Sequence, residues 1–251
     1  LAGLSQQTNR ILHLLFLGAN ILLCTAFFSG WFYMIKKAIA HNRKVERDEY
    51  KDEQEIAAAS FALGKEFFPG VGEYFLGISL TTVVYVVLYV LLLFACYKFG
   101  QQFLPNPHID MQKFLAAANS TPAEMHKYVY SLSFDQIKAI NYWMLFVGGT
   151  VSLFTFLTMF LYPALYDKSE KGLYVLWSPF TAFNRNLVFI FRHFFGSLGI
   201  MLFLFFLNIV LSILSIIFNL NLILAIVGLI ISFYFMTYAV VLIFLYYEEN
   251  K

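Results

Sequence analysis

Five long runs of apolar residues constrain this chain more than any other feature of its sequence. They cover residues 11–35, 74–97, 142–166, 198–218 and 222–247, and none contains Asp, Glu, Lys or Arg. At about 1.5 Å of rise per helical residue, each run can cross a hydrocarbon core about 30 Å thick. Backbone amides in lipid must bond within their own segment, so such runs form helices. The sequence therefore predicts an all-α fold, a polytopic integral membrane helix bundle of five spans.

The composition excludes two broad classes of protein. Only 13% of the 251 residues are charged, against roughly 25% in an ordinary soluble domain. The net charge is +2, and the basic residues are scattered between the apolar runs without forming a stripe. We therefore expect neither a soluble domain nor a nucleic-acid partner.

The distribution of Lys and Arg predicts the orientation in the membrane. Segments 36–73 and 167–197 and the C-terminal tail together carry twelve basic residues, and the N-terminus and loop 98–141 carry five. Basic residues are retained on the cytoplasmic side of the inner membrane. We expect 36–73 and the C-terminus to be cytoplasmic, and the N-terminus and loop 98–141 to be outside.

The segments between the spans contain local helix signals. Residues 41–55 alternate charges of both signs, which predicts a solvated extension of span one. Residues 55–68 carry a mildly apolar stripe that we expect Pro69, Gly70 and Gly72 to end. In loop 98–141, Thr121-Pro122 and Ser133 with Gln136 have the pattern of capped helix starts. Two short helices are predicted there, the second leading into span three.

Segment 177–195 has the pattern of an amphipathic helix at the cytoplasmic interface. Thr181, Asn184, Arg185 and Arg192 share one sector of a helical wheel, and phenylalanines fill most of the remainder. Such a helix places its rings among acyl chains and its arginines at phosphate depth. We expect Arg185 and Arg192, with Lys168 and Lys171, to hold anionic lipid headgroups. The alternative is an elbow helix that packs on the bundle.

Small and weakly polar residues within the runs indicate helix-packing seams. The pairs with small-xxx-small spacing are Ala26 and Gly30, Gly77 and Thr81, and Gly148 and Ser152, and one face of span four carries Asn208, Ser212 and Ser215. A polar solute path along such residues is the alternative interpretation.

Motifs for catalysis and cofactor binding are absent from the sequence. Gly64-Lys65 lacks a preceding glycine loop, and neither a nucleophile elbow, a His-Glu-x-x-His zinc motif nor a dinucleotide fingerprint occurs. Outer-loop histidines and aspartates lack ligand spacing for a metal. Cys24 and Cys96 lie in separate spans and are expected to be unpaired. We expect no enzyme activity, no cofactor and no metal.

The C-terminal third resembles a group of known membrane proteins. Ser178-Pro179 begins the amphipathic helix, Gly196 and Gly199 precede two spans, and Tyr246-Tyr247-Glu248-Glu249 closes the pattern. This hydropathy pattern resembles uncharacterised bacterial multi-pass families related to the membrane domain of glycerophosphodiester phosphodiesterases, with an echo in Phe67-Phe68-Pro69-Gly70. The resemblance implies a membrane scaffold concerned with lipid or envelope biology, and it transfers no active-site residue.

Two hypotheses about function follow. The first is a non-enzymatic accessory or scaffold subunit that contacts lipids and other membrane protein subunits, because buried ionisable groups and catalytic constellations are missing from the spans. The second is a transport component for an apolar or amphiphilic solute, with a lipid-acting intramembrane enzyme as a further alternative. A polar cavity reaching one face would favour the second, and a filled bundle with an exposed seam the first.

Overall fold

The computed structural model of the chain describes residues 2–47, 49–50, 52–167, 172–218 and 221–251. These ranges contain helices and no strands, which confirms the all-α prediction. The helices are α1 (Ala2–Glu46), α2 (Glu53–Ala62), α3 (Phe67–Phe103), α4 (Met111–Ala118), α5 (Pro122–Tyr130), α6 (Phe134–Thr158), α7 (Leu161–Tyr166), α8 (Ser178–Arg192), α9 (Phe194–Phe218) and α10 (Leu222–Asn250).

Five helical segments are long and apolar enough to cross a membrane, and they correspond to the five predicted spans. They are Gly18–Glu46, Glu53–Phe103, Phe134–Tyr166, Phe194–Ile216 and Ile223–Asn250. The amphipathic helix α8 has 15 residues and is not among them. Asn221 begins α10 by accepting a hydrogen bond from the Leu224 amide at 2.9 Å.

The chain forms two compact units. One comprises Leu1–Val84 and Phe156–Lys251, and the other comprises Tyr85–Thr155. The first unit has a buried centre at α7, where Leu161, Ala164 and Tyr166 are each at most 1% exposed. Aromatic rings of α8 and α10 pack on this centre, with the Phe189 and Tyr247 centroids 4.6 Å apart.

Two predictions for the segment 36–73 were wrong in detail. The charged extension of span one stops at Glu46 and does not continue to residue 55, because the Asp52 carboxylate caps a new helix by accepting from the Glu55 amide at 2.7 Å. Pro69, Gly70 and Gly72 were predicted to end a helix, but all three lie within α3. Pro69 lies in the first turn of α3, where a proline N–H would have no intrahelical acceptor anyway.

The second unit shows which capping signals are realised. Ser133 and Gln136 form the predicted reciprocal box, with the Ser133 amide donating to Gln136 Oε1 at 3.0 Å and the Gln136 amide donating to Ser133 Oγ at 3.3 Å. Thr121 precedes α5, but its hydroxyl makes no capping hydrogen bond, contrary to expectation. The loop contains an additional helix, α4, whose N-cap is Asp110.

Candidate functional site

A buried amide joins two helices of the first unit. The helical backbone breaks between the end of α6 at Thr158 and the start of α7 at Leu161. Asn186 of α8 is fully buried. Its Oδ1 accepts from the Phe160 amide at 3.0 Å, and its Nδ2 donates to the Leu157 carbonyl at 2.6 Å. A single side chain therefore satisfies a donor and an acceptor that the break releases.

Helix α7 is held by aromatic and polar contacts from two further helices. The Tyr166 hydroxyl donates to the carbonyl oxygen of Ser29 in α1 at 2.7 Å. The Tyr166 ring stacks on Tyr74 of α3, with centroids 4.2 Å apart. Lys36 of α1 donates its ammonium to the Tyr166 carbonyl. Two hydrogen bonds and one ring stack therefore hold this short helix against α1 and α3.

Charged side chains form a network beside this core. Lys251 Nζ lies 2.5 Å from Asp167 Oδ1 and 3.0 Å from Glu248 Oε2. Arg43 lies 3.9 Å from Glu248. Burial lowers the pKa of Lys251, but its hydrogen bonds to Asp167 and Glu248 outweigh burial and raise that pKa above its ordinary value. The network links α1, α10 and the residue after α7, and positive and negative groups alternate within it.

Helix α8 combines a buried face with an exposed one. Arg185 is half-buried, within electrostatic range of the Tyr247 phenol, and Arg192 is exposed. Phe191 of α8 is 70% exposed, and Phe195, in the first turn of α9, is 84% exposed. Phe189 is instead only 5% exposed and packs on Phe160 and Tyr247. Lys168 and Lys171, predicted to assist the arginines, lie outside the described residues.

Two cavities adjoin the core within the first unit. One, of about 420 Å³, is bounded by α1, α3 and Tyr162 of α7, and its lining is almost entirely apolar. Its polar edge includes Thr82 and Tyr162, whose hydroxyls are 3.1 Å apart. The exposed thiol of Cys24 also lines it. Such a cavity suits an apolar chain and offers no continuous polar path.

The second cavity is a groove of about 350 Å³ between α1 and α10. We call it the α1–α10 groove. Its lining residues are Ile35, Ala38, Ile39, Asn42, Arg43, Glu46, Val241, Leu245 and Glu249. The walls of the groove are apolar at one end and charged at the other, whereas no charged residue lines the first cavity.

The structure places the predicted packing residues in different environments. Gly30 is buried beside Phe67, and a Cβ at Gly30 would lie 2.6 Å from that ring. A Cβ at Gly77 would lie 3.5 Å from Ser178 Oγ, and Thr81 is fully buried, while Ala26 is half-buried. Nothing described lies within 4 Å of a Cβ built on Gly148, and Ser152 is exposed. Asn208, Ser212 and Ser215 are also exposed, along α9.

Asn186, which organises this region, was not predicted from the sequence. The polar sector of the α8 wheel did not include Asn186, and only the three-dimensional position of the α6–α7 break shows its role. Asn184 and Asn186 both lie in this aromatic segment, so the sequence does not distinguish the buried amide from the exposed one. Among the described residues, no group of three His, Cys, Asp or Glu side chains could hold a metal ion.

A scan against protein-family models and searches of curated proteins and solved structures find no match to this chain.

Proposed function

We propose that the protein is a non-enzymatic accessory or scaffold subunit of the cell membrane, which contacts lipids and another membrane protein. In this proposal 36–73 and the C-terminus are cytoplasmic, and the N-terminus and loop 98–141 are outside. The resemblance of the C-terminal third to phosphodiesterase-related membrane families is consistent with such a role. The five membrane-compatible helices support the membrane location that it requires.

One exposed amide carries the proposal. Asn208 lies in the span Phe194–Ile216, eight residues or about 12 Å from its end. Its side chain is exposed, and within the described ranges no residue hydrogen-bonds to it. The neighbouring hydroxyls of Ser212 and Ser215 already donate to carbonyls of their own helix.

An amide without a partner is costly in hydrocarbon, whereas a hydrogen bond to a second helix satisfies it. Such interhelical bonds are worth about 0.6–2 kcal/mol. Asn208 therefore marks the face of α9 that we assign to a partner helix. The cavity lined by Cys24 gives less support to the alternative, a transport component for an apolar or amphiphilic solute, because a polar-lined cavity was expected for transport and this lining is apolar.

Photocrosslinking in native membranes tests this assignment. A photoreactive residue at Ser212, one turn from Asn208, should crosslink to another membrane protein. Asn208→Leu should reduce that product several-fold, because it removes the amide and preserves the apolar surface. A photoreactive residue at Leu229, which is 70% exposed on α10, is the matched control.

Two results would contradict the proposal. Lipid adducts alone at Ser212 would mean that this face of α9 lies in the bilayer. A crosslinked product of twice the chain's own mass would mean self-association in place of an accessory role.

A further inference from the structure

We propose that the α1–α10 groove binds a zwitterionic aminophospholipid of the phosphatidylethanolamine type. The inference rests on the proposed function, because it requires a membrane protein that contacts lipids. It adds a second lipid site, whose headgroup class differs from the anionic headgroups proposed for Arg185 and Arg192.

The apolar half of the groove fits an acyl chain. Ile35 and Ile39 lie one turn apart on α1, and Val241 and Leu245 lie one turn apart on α10. These four side chains are buried or half-buried. The groove volume of about 350 Å³ falls in the range of about 300–1,000 Å³ typical of ligand sites.

Both helices change from apolar to charged in the next turn. On α1, Ile39 is followed by Arg43 and Glu46, and on α10, Leu245 is followed by Glu249. The two charged turns are joined by the long ion pair of Arg43 with Glu248, at 3.9 Å. A groove that is apolar along two turns and charged at one end matches the profile of a lipid at the membrane surface.

The charged end of the groove carries both positive and negative side chains. The Arg43 guanidinium has five N–H donors, and its long contact with Glu248 leaves donors for a phosphate. Glu46 and Glu249 are exposed carboxylates on the same rim. Asn42 donates to Glu46 Oε1 at 2.7 Å, which orients that carboxylate and leaves its other oxygen available.

This arrangement selects among phospholipids. A phosphate on Arg43 places a headgroup amine near Glu46 and Glu249, and an ammonium can donate N–H bonds to both carboxylates. A trimethylammonium carries the same charge without N–H donors. A glycerol headgroup supplies no cation to Glu46 and Glu249, so the phosphate's negative charge lies beside two carboxylates with only Arg43 to balance it. The expected order is therefore ethanolamine over choline over glycerol headgroups.

Native mass spectrometry of the purified full chain tests the inference. The probe is an equimolar mixture of phosphatidylethanolamine, phosphatidylcholine and phosphatidylglycerol with identical acyl chains. Ethanolamine adducts should exceed choline adducts about fivefold in the unmodified protein, as charge-assisted hydrogen bonds predict. Glu46→Gln/Glu249→Gln should bring that ratio to about one, whereas Glu124→Gln on α5 should leave it unchanged.

A series of lipids provides a test that needs no variant. Methylating the ethanolamine nitrogen once, twice and three times removes its N–H donors in steps, and adduct yield should fall with each step. Equal yields across the series, or a preference that survives in Glu46→Gln/Glu249→Gln, would overturn the inference. The unmodified protein could show no preference for ethanolamine lipid and still retain glycerol lipid normally through Arg185 and Arg192. That result would refute lipid binding in this groove alone and leave the proposed function standing.

Discussion

The Oδ1 atom of Asn186 lies 3.0 Å from the amide nitrogen of Phe160, inside a site that water does not reach. This hydrogen bond makes the helical break before α7 compatible with burial. It also identifies α8 as a structural component of the core as well as an amphipathic surface helix.

We expect Asn186→Leu to destabilise the protein by about 2–4 kcal/mol, because it leaves the Phe160 amide and the Leu157 carbonyl buried without partners. Asn184→Leu is the matched control, since Asn184 is exposed on the same helix. Unfolding in mixed micelles at increasing SDS fraction measures both free energies. Equal stability of the two variants would show that Asn186 is dispensable.

Helices α1 and α3 can approach closely because Gly70 has no side chain. A Cβ there would lie 2.5 Å from Tyr33 Cβ, an atom that cannot rotate away. Gly70→Ala should therefore cost about 1–3 kcal/mol through overpacking. Gly72→Ala, with open space around its Cβ, should be neutral or stabilising by up to about 1 kcal/mol. Thermal unfolding in detergent compares them, and a stabilised Gly70→Ala would disprove the close approach.

The charge network at Lys251 should make the free energy of unfolding depend on pH in the alkaline range. Because the pKa of Lys251 is raised above 10.5 in the folded protein, its contribution is present below about pH 10.5 and lost as the pH rises through the higher native value. Its side chain is 33% exposed, so the contribution is at most about 1 kcal/mol. The free energy of unfolding, measured for the parent and for Lys251→Met, should differ less above pH 10.5 than below it.

Whether a structural feature could be predicted from the sequence depends on how far apart along the chain its interacting residues lie. Spans and the Ser133–Gln136 box were predictable, because hydropathy and capping are local properties of the chain. The end of α1 was not predicted, because it depends on the new helix that Asp52 caps. The position of Pro69 within α3 was not predicted either, because a proline is tolerated only in the first helical turn, where Pro69 lies. The role of Asn186 depends on a backbone break 26 residues away in sequence, which no local pattern encodes.

The arginine pair on α8 is expected to retain anionic lipid. Each basic group near an anionic leaflet contributes about 1 kcal/mol, so Arg185→Ala/Arg192→Ala should reduce retained phosphatidylglycerol or cardiolipin about thirtyfold. Lys44→Ala/Arg47→Ala removes the same charge near the end of α1 and serves as control. Undiminished retention in native mass spectra of the arginine variant would assign both arginines a structural role.

Cysteine labelling can decide the orientation. Ser60 and Ser120 are both exposed, and they lie in segments predicted to be on opposite sides of the membrane. In a Cys24→Ala/Cys96→Ala background, an impermeant maleimide applied outside the cell should label Ser120→Cys and spare Ser60→Cys. The reverse pattern would invert the proposed topology.

The burial of α7 also sets an order of assembly during synthesis. The rings of Phe244 and Tyr247 that cover Tyr166 and Phe160 are translated about 80 residues after α7. At roughly 5–20 residues per second, this interval lasts about 4–16 s. During that time α7 has emerged from the ribosome without the helix that completes its surroundings. Closure of the core is therefore a late event of biogenesis, and ribosome stalling before Phe244 would leave a membrane-inserted chain with an open centre for quality-control proteases to recognise.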